Sequence, residues 1–338
     1  MKRMMQVMFA IPACVIFLAG AGSAPGAGGG QTRAKLPKDL AGLQGPFDLA
    51  GELKPEARYY IQESTVIRIG FDGKRISSET FTLKLKCIPA ALSGKGGDEY
   101  TCAEMRIRST DGTTATIPAL AGWTYIFKNT PSGSDDQGQV FGIPHAKFEG
   151  LVDSRGAALS AISSYPVYNS FIDFHAFNDA FARPALGGKG IQDLKAIGQS
   201  IRHAAAFSEP PVSLGQGIKE GSVFRNGDVK LVLKGVGLVD GAACAVVGFD
   251  SGESTLRMIV AMTADKDIET VGGSEYIGDI YIDLATRWVR KVTLDEFVLT
   301  ETRLPAMGQG PAAQGQKILA YNVRHLLTRM VSREEFEK

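Results

Sequence analysis

Residues 273–304 constrain the fold more than any other stretch of this 338-residue chain. Residues 276–283 and 288–300 are β-branched and aromatic runs, joined by Leu284-Ala285-Thr286-Arg287, with Asp283 placed to hydrogen-bond the turn backbone. Ile280, Ile282, Trp288, Val292, Leu294 and Val298 stand on one parity. Asp279, Tyr281, Asp283, Lys291, Thr293 and Asp295 stand on the other. A pleated strand sends the two sets to opposite faces. The hairpin therefore offers an apolar face that the rest of the chain must cover.

The N-terminal half repeats the pattern. Residues 77–87 alternate, with Phe81, Leu83, Leu85 and Cys87 inward and Thr80, Thr82, Lys84 and Lys86 outward. In the strand before it, Tyr59, Ile61, Thr65, Ile67 and Ile69 form the apolar parity and Gln62, Ser64 and Arg68 the polar one. Asp72-Gly73, Asp111-Gly112 and Asp240-Gly241 mark tight turns. Short strands are expected at 140–143 and 146–152, and 318–331 suits either a strand or a helix.

Between the two strand-rich regions the period shifts toward 3.6. Residues 170–183 carry Phe171, Phe174, Phe177 and Phe181 as a stripe, and Pro184 ends the segment. A second helix is expected at 191–207, with Ile191, Leu194, Ile197 and Ile201 on one face. The fold class is therefore α+β and β-rich: an antiparallel meander curled into a half-barrel or open barrel, with two central helices packed on one face.

The N-terminus sets the compartment. Lys2 and Arg3 precede an apolar run ending at Leu18, and Ala19-Gly20-Ala21 supplies small residues for cleavage. We read residues 1–21 as a signal peptide, 22–48 as a flexible linker and 49–338 as one β-rich domain. The alternative division is halves at 49–165 and 215–338 joined by a helical segment at 166–214. The expected location is periplasmic or secreted. Cys14 lies in a rival lipoprotein-type cleavage box that Pro12 disfavours. No later run approaches the roughly 20 apolar residues of a membrane span. With 37 basic and 36 acidic residues interspersed, the chain has no field to attract nucleic acid.

Export makes a Cys87–Cys102 disulfide the natural candidate, closing a loop and contributing about 3 kcal/mol. It requires a bulge near Ala103 to bring both cysteines to one face. Cys244 reads as a small buried hydrophobe. His175 and Asp179 have the i, i+4 spacing of a metal-ligand pair, but no third or fourth ligand adjoins them. The histidines read as solvated or helix-surface residues, and no metal or cofactor is expected. Asp279 and Asp283 read as a solvated pair. A hydrolase would need two or more of His145, His175, His203 and His325 to converge with carboxylates.

The aromatic helix over a curled sheet in outline resembles the periplasmic lipoprotein carriers, whose half-barrels of antiparallel strands are covered by helices. That likeness is architectural and lends no site residue. It implies a non-catalytic binding protein that holds an apolar small molecule or lipidated protein. The pocket candidates are Phe171, Phe174, Phe177, Phe181, Ile197 and Trp288. An envelope scaffold with no small ligand is the alternative.

Overall fold

The computed structural model describes residues 40, 43, 45–49, 55–70, 72–128, 139–159, 161–181, 189–202, 208–209, 218–225, 227–263, 265–305 and 316–338. The expected signal peptide, most of the linker, Cys14 and His203 lie outside the described residues.

Fourteen strands form one sheet. They are β1 (Arg58–Ile69), β2 (Arg75–Ile88), β3 (Glu99–Arg108), β4 (Thr114–Thr116), β5 (Thr124–Ile126), β6 (Ser200–Arg202) and β7 (Ser208–Glu209). Then come β8 (Val223–Arg225), β9 (Lys230–Val239), β10 (Ala242–Asp250), β11 (Ser254–Thr263), β12 (Lys266–Asp283), β13 (Val289–Leu304) and β14 (Gln316–Val331). The order is β4-β3-β2-β1-β14-β13-β12-β10-β9-β6, and every strand pair is antiparallel. The sheet does not close among the described residues. The α-helices whose full bounds fall among the described residues are α1 (Ala90–Ser93), α2 (Ala161–His175) and α3 (Arg333–Glu337).

Two meanders meet where β1 pairs with β14 over Tyr59↔Val331 to Ile69↔Tyr321. The 273–304 hairpin forms as its parity requires. Ile280, Ile282, Val292, Leu294 and Val298 are at most 5% exposed, and the Asp283 carboxylate accepts from the Ala285 and Thr286 amides. Its ladder runs further than expected, from Glu269↔Arg303 to Ile282↔Val289. β12 is also forked: Ser254–Thr263 pairs with its first part and Ala242–Asp250 with its last. Gly278 sits in the last part. A Cβ there would lie 1.9 Å from the Thr293 carbonyl oxygen and 2.7 Å from the Phe249 ring, so the bare backbone is what admits that ring.

Several expectations are corrected. Of the two expected central helices only α2 is present among the described residues. It begins at Ala161 and continues from Ala176 to Ala180 as a π-helical turn, with the Phe181 amide donating to the Ala176 carbonyl. The segment expected as a second helix is a 3-10 turn at Ile191–Asp193 followed by β6. One turn suffices to bury Ile191 and Leu194. Gly198, at φ +84°, then turns the chain away, and the Gln199 side chain caps the Lys195 and Ala196 amides. In place of a strand at 146–152 there is a 3-10 turn at His145–Phe148. The 318–331 segment is strand, capped by α3, whose Phe336 packs on Tyr59.

The face of β1 is also reversed. Tyr60, Gln62 and Ser64 are buried, whereas Tyr59, Ile61 and Ile67 are half-buried on the other side, where only Ile69, against Val323, is buried as expected. Gln62 can be buried because both ends of its amide are used. Its Nε2 donates to the Ser170 carbonyl of α2 at 2.7 Å, and its Oε1 accepts from the Thr328 hydroxyl of β14 at 3.0 Å.

α2 lies across this inner face and divides its aromatic stripe between two cores. Phe171 and Phe174 join Tyr60, Leu83, Leu85, Tyr100 and Phe148. Phe177 and Phe181 join Leu231, Val247, Phe249, Ile280, Val292 and Leu326.

Gly278→Ala is expected to destabilise the protein by about 1–3 kcal/mol, the usual cost of overpacking. Urea unfolding followed by tryptophan fluorescence would measure it, and an unchanged midpoint would mean that Phe249 does not pack on this backbone.

Candidate functional site

The inner face carries two polar constellations. The first is enclosed. At the α2-to-π junction His175 is fully buried, its Nδ1 2.8 Å from Asp179 Oδ2 and its Nε2 2.8 Å from the Tyr125 hydroxyl. Tyr100 donates to both Asp179 oxygens at 3.0 Å. Tyr100, Tyr125, Phe127, Phe141 and Phe174 surround the imidazole. Burial holds both tyrosine hydroxyls well above the usual phenol range, and the Asp179 charge adds to this. Nearby, Arg58 donates to Cys87 Sγ at 3.2 Å and to Asp98 at 3.3 Å, and it lies over the Trp288 ring. His175, Asp179, Tyr100 and Tyr125 resemble catalytic parts, but each spends its hydrogen bonds on another inside the core. Their chemistry is that of a lock between α2 and β3.

The second constellation lies along β12, β13 and β14. Directly paired residues in an antiparallel sheet share a face, so the register defines cross-strand rows. One row holds Tyr276, Glu296, Arg324 and Val66. Arg324 is clamped there by Glu296 at 2.5 Å and by Asp173 of α2. Burial works against the guanidinium charge, but the two carboxylates outweigh it and hold its pKa above the ordinary arginine value. Tyr276 is shifted up, chiefly by burial.

The next row outward is Ser254, Ser274, Val298, Asn322 and Arg68, followed by Leu256, Gly272, Thr300 and Ala320. Beyond these the Thr270 and Thr302 hydroxyls pair at 2.9 Å. Ser274, Thr300 and Asn322 are 7%, 1% and 5% exposed. Even so, Ser274 Oγ, Thr300 Oγ1 and Asn322 Oδ1 have no hydrogen-bond partner. A cleft of about 380 Å³ borders Ser254 and Ser274 at one end of this row; its other lining residues are Glu253, Thr255, Gly273, Glu275 and Phe297, and the register puts the last four on the opposite parity from Ser274. Uncharged polar atoms that the protein leaves unpaired can take hydrogen bonds from, or give them to, something the protein holds.

The sequence-derived candidates disperse. Phe171 and Phe174 are fully buried, Phe177 and Phe181 nearly so, and all four touch other rings: Phe171 meets Trp123 and Phe148, Phe174 meets Tyr60 and Tyr100, and Phe177 and Phe181 meet Phe249. Ile197 is 47% exposed on the turn before β6. Trp288 is covered by Arg58. His175 is not the helix-surface residue its polarity implies. His145 meets the Tyr168 hydroxyl, and exposed His325 meets Asp295, so the described histidines serve separate contacts. Asp279 pairs with Lys234. Burial alone would raise the Asp283 carboxyl, but Arg290 and the turn amides hold it below its usual range. No group of three metal-ligating side chains occurs among the described residues.

Cys87 and Cys102 are free thiols. The expected bulge is present, with Glu104 opposite Lys84 and Cys102 opposite Leu85, so both thiols face inward. Cys87, however, opposes Tyr100. The cysteines are thus diagonal neighbours, about 7–8 Å apart, beyond the usual Cα separation of a disulfide.

Sequence reasoning missed Ser274, Thr300 and Asn322. A signal was available in the hairpin, where the buried parity turns from Ile280, Val292 and Leu294 to Ser274, Gly272, Thr300 and Thr302. No known family model matches the chain, and no curated protein does. Among solved structures it overlaps the in-vitro folded outer membrane protein OmpT of Vibrio cholerae in its trimer form, at 10% identity over 82% of this chain and 99% of that one, with a TM-score of 0.17. A second OmpT structure from the same organism overlaps at 7% identity over 83% and 100%, with a TM-score of 0.16. Overlaps this slight carry no argument about fold or function.

Two outcomes follow. Arg324→Met leaves Asp173 and Glu296 without their cation and is expected to cost about 3–5 kcal/mol. Adding Asp173→Leu and Glu296→Leu should recover most of it, as denaturant titration would show. Burial pushes the Cys87 and Cys102 thiols up to about 12 from 9.0. The unfolded chain therefore ionises them first. Their stabilising contribution is complete below about pH 8.5 and is lost as pH rises toward 12. Urea midpoints should fall across that window, and Ellman's reagent at pH 8 should find Cys87, Cys102 and Cys244 only after denaturation. Detection of Cys244 alone would reveal a Cys87–Cys102 bridge.

Proposed function

We propose that the chain is an exported, non-catalytic binding protein of the bacterial envelope. In this reading the sheet curls as a half-barrel, α2 plugs its middle, and the ligand, a small molecule or a lipid-modified partner, lies on the inner face beyond the Arg324 clamp. The observation that carries the reading is the trio of buried, unpartnered polar atoms on Ser274, Thr300 and Asn322, of which Ser274 borders a cleft. Native proteins leave few such atoms. Against an enzyme stands the fate of the titratable groups, since His175, Asp179, Tyr100 and Tyr125 saturate one another away from solvent. Export rests on the charged, apolar and small-residue succession at the N-terminus.

A second reading, an envelope scaffold, draws on the outer face, where Ile277, Leu299 and Leu319 are 41%, 39% and 47% exposed.

Native mass spectrometry of the mature chain, purified from a bacterial periplasm without detergent, separates the two. The binding reading expects a stoichiometric non-protein mass that is released on denaturation and is absent from Thr300→Val. Bare protein throughout, with a partner polypeptide in the complex, would favour the scaffold.

A further inference from the structure

We propose that a second copy of this chain docks on the edge of β9, pairing strand to strand about a two-fold axis at Gly237. The first part of that edge is covered. β6 pairs with Lys230 to Val232, and the Gly198–Gln199 turn takes Leu233, whose amide donates to the Gln199 carbonyl and whose carbonyl accepts from the Gly198 amide. From Lys234 to Val239, no described residue pairs with β9 on that side. An unpaired edge is a template for another strand.

The hairpin geometry says which groups face outward there. Asp240 and Gly241, at φ +47° and +79°, make a two-residue turn, so Val239 and Ala242 are its closing hydrogen-bonded pair. Hydrogen-bonded and non-hydrogen-bonded pairs then alternate down the ladder. Val239, Gly237 and Gly235 thus spend their backbone groups on β10, whereas Leu238 and Val236 turn theirs away from it. A lysine on an edge strand usually guards it. Lys234 does not, because its side chain crosses the bare backbone of Gly248 to reach Asp279 of β12 at 2.5 Å. Gly235 and Gly237 add no side chains, and Leu238 is 43% exposed.

The outward groups complement themselves. With the two-fold at Gly237, Val236 stands opposite the partner's Leu238, and Leu238 stands opposite the partner's Val236. Each pair exchanges two hydrogen bonds, which uses every outward amide and carbonyl of the two residues in both copies. A closed two-fold contact requires a patch that is self-complementary in this way. The same register sets apolar Leu238 beside the partner's Val236, and Lys234 toward the partner's Asp240 in place of a second lysine. A strand from another protein is a poorer match. Specificity in strand addition comes from pockets for alternate side chains, and Gly235 and Gly237 form none. The contact is short, below the standard interface of roughly 1,600 Å², so association in the micromolar range or weaker is expected.

Sedimentation velocity of the mature full-length chain from about 5 to about 500 μM should show reversible monomer–dimer exchange. Leu238→Pro removes an amide that β10 does not use, which an edge strand tolerates, and Leu238→Lys places a charge in the apolar contact. Each should weaken dimerisation about tenfold or more while the monomer melts as the wild type does. Should Leu238→Pro fail to fold, Leu238→Lys and cross-linking decide. Cys244 lies opposite Gly237 on β10, so cross-linking uses a Cys244→Ala background. There Gly237→Cys should give a disulfide-linked dimer under mild oxidation, because the two Cα atoms at the axis lie about 4.5 Å apart in this register. Ile76→Cys, on exposed β2, should link far more slowly. A monomer at every concentration overturns the proposal. So does a dimer that Leu238→Lys leaves intact and Gly237→Cys does not link. These outcomes are independent of whether a ligand occupies the inner face.

Discussion

The pairing of β1 with β14 is the contact on which the rest of the structure depends. It joins residues from 272 positions apart, Tyr59 and Val331, to 252 apart, Ile69 and Tyr321, and turns two meanders into one continuous sheet. Without it each meander would expose an edge, and the inner face that receives α2 would be split. Contacts this remote in sequence carry a large loop-closure cost before any reward. The seam must therefore be held by more than backbone hydrogen bonds. Gln62 and Arg324 serve that purpose from opposite sides: Gln62 joins β1, β14 and α2, and Arg324 joins β14, β13 and α2. The helix rivets the seam as well as filling the core.

This arrangement explains which parts of the fold are legible in the sequence. The 283–288 turn and its flanking strands are local, and their alternation predicts both pairing and face. The burial of Phe81, Leu83 and Leu85 follows in the same way. The inward face of β1 is not legible, because it is set by partners on α2 and β14 that make Gln62 and Ser64 tolerable inside. Residues 191–207 mislead for a different reason. Ile191 and Leu194 have the spacing of one helical turn, and one turn is what forms before Gly198 redirects the chain.

The candidate site is harder to see in the sequence than the fold. Its three unpaired atoms come from β12, β13 and β14, and only the register between those strands brings them into neighbouring rows. By contrast, the features that look chemical in the sequence, the histidines, paired aspartates and cysteines, are mostly used up by the fold. His175 and Asp179 do come together as their spacing implies, but with Tyr100 and Tyr125 as partners in place of a metal. A spacing rule can identify which side chains meet. It cannot tell whether solvent meets them too.

The two constellations act on stability in opposite directions. In the His175 network every donor is matched to an acceptor, which in a low-dielectric interior strengthens each bond and fixes one arrangement. Along Ser274, Thr300 and Asn322 the reverse holds. Each unpaired buried group costs about 1–3 kcal/mol, and together they amount to a sizeable share of the roughly 5–15 kcal/mol that separates a folded domain from its unfolded chain. Valine, alanine or leucine at these positions would fill much the same space without that penalty. The penalty disappears only when another molecule supplies the missing hydrogen bonds. The His175 network thus adds to stability, whereas the Ser274, Thr300 and Asn322 row subtracts from it.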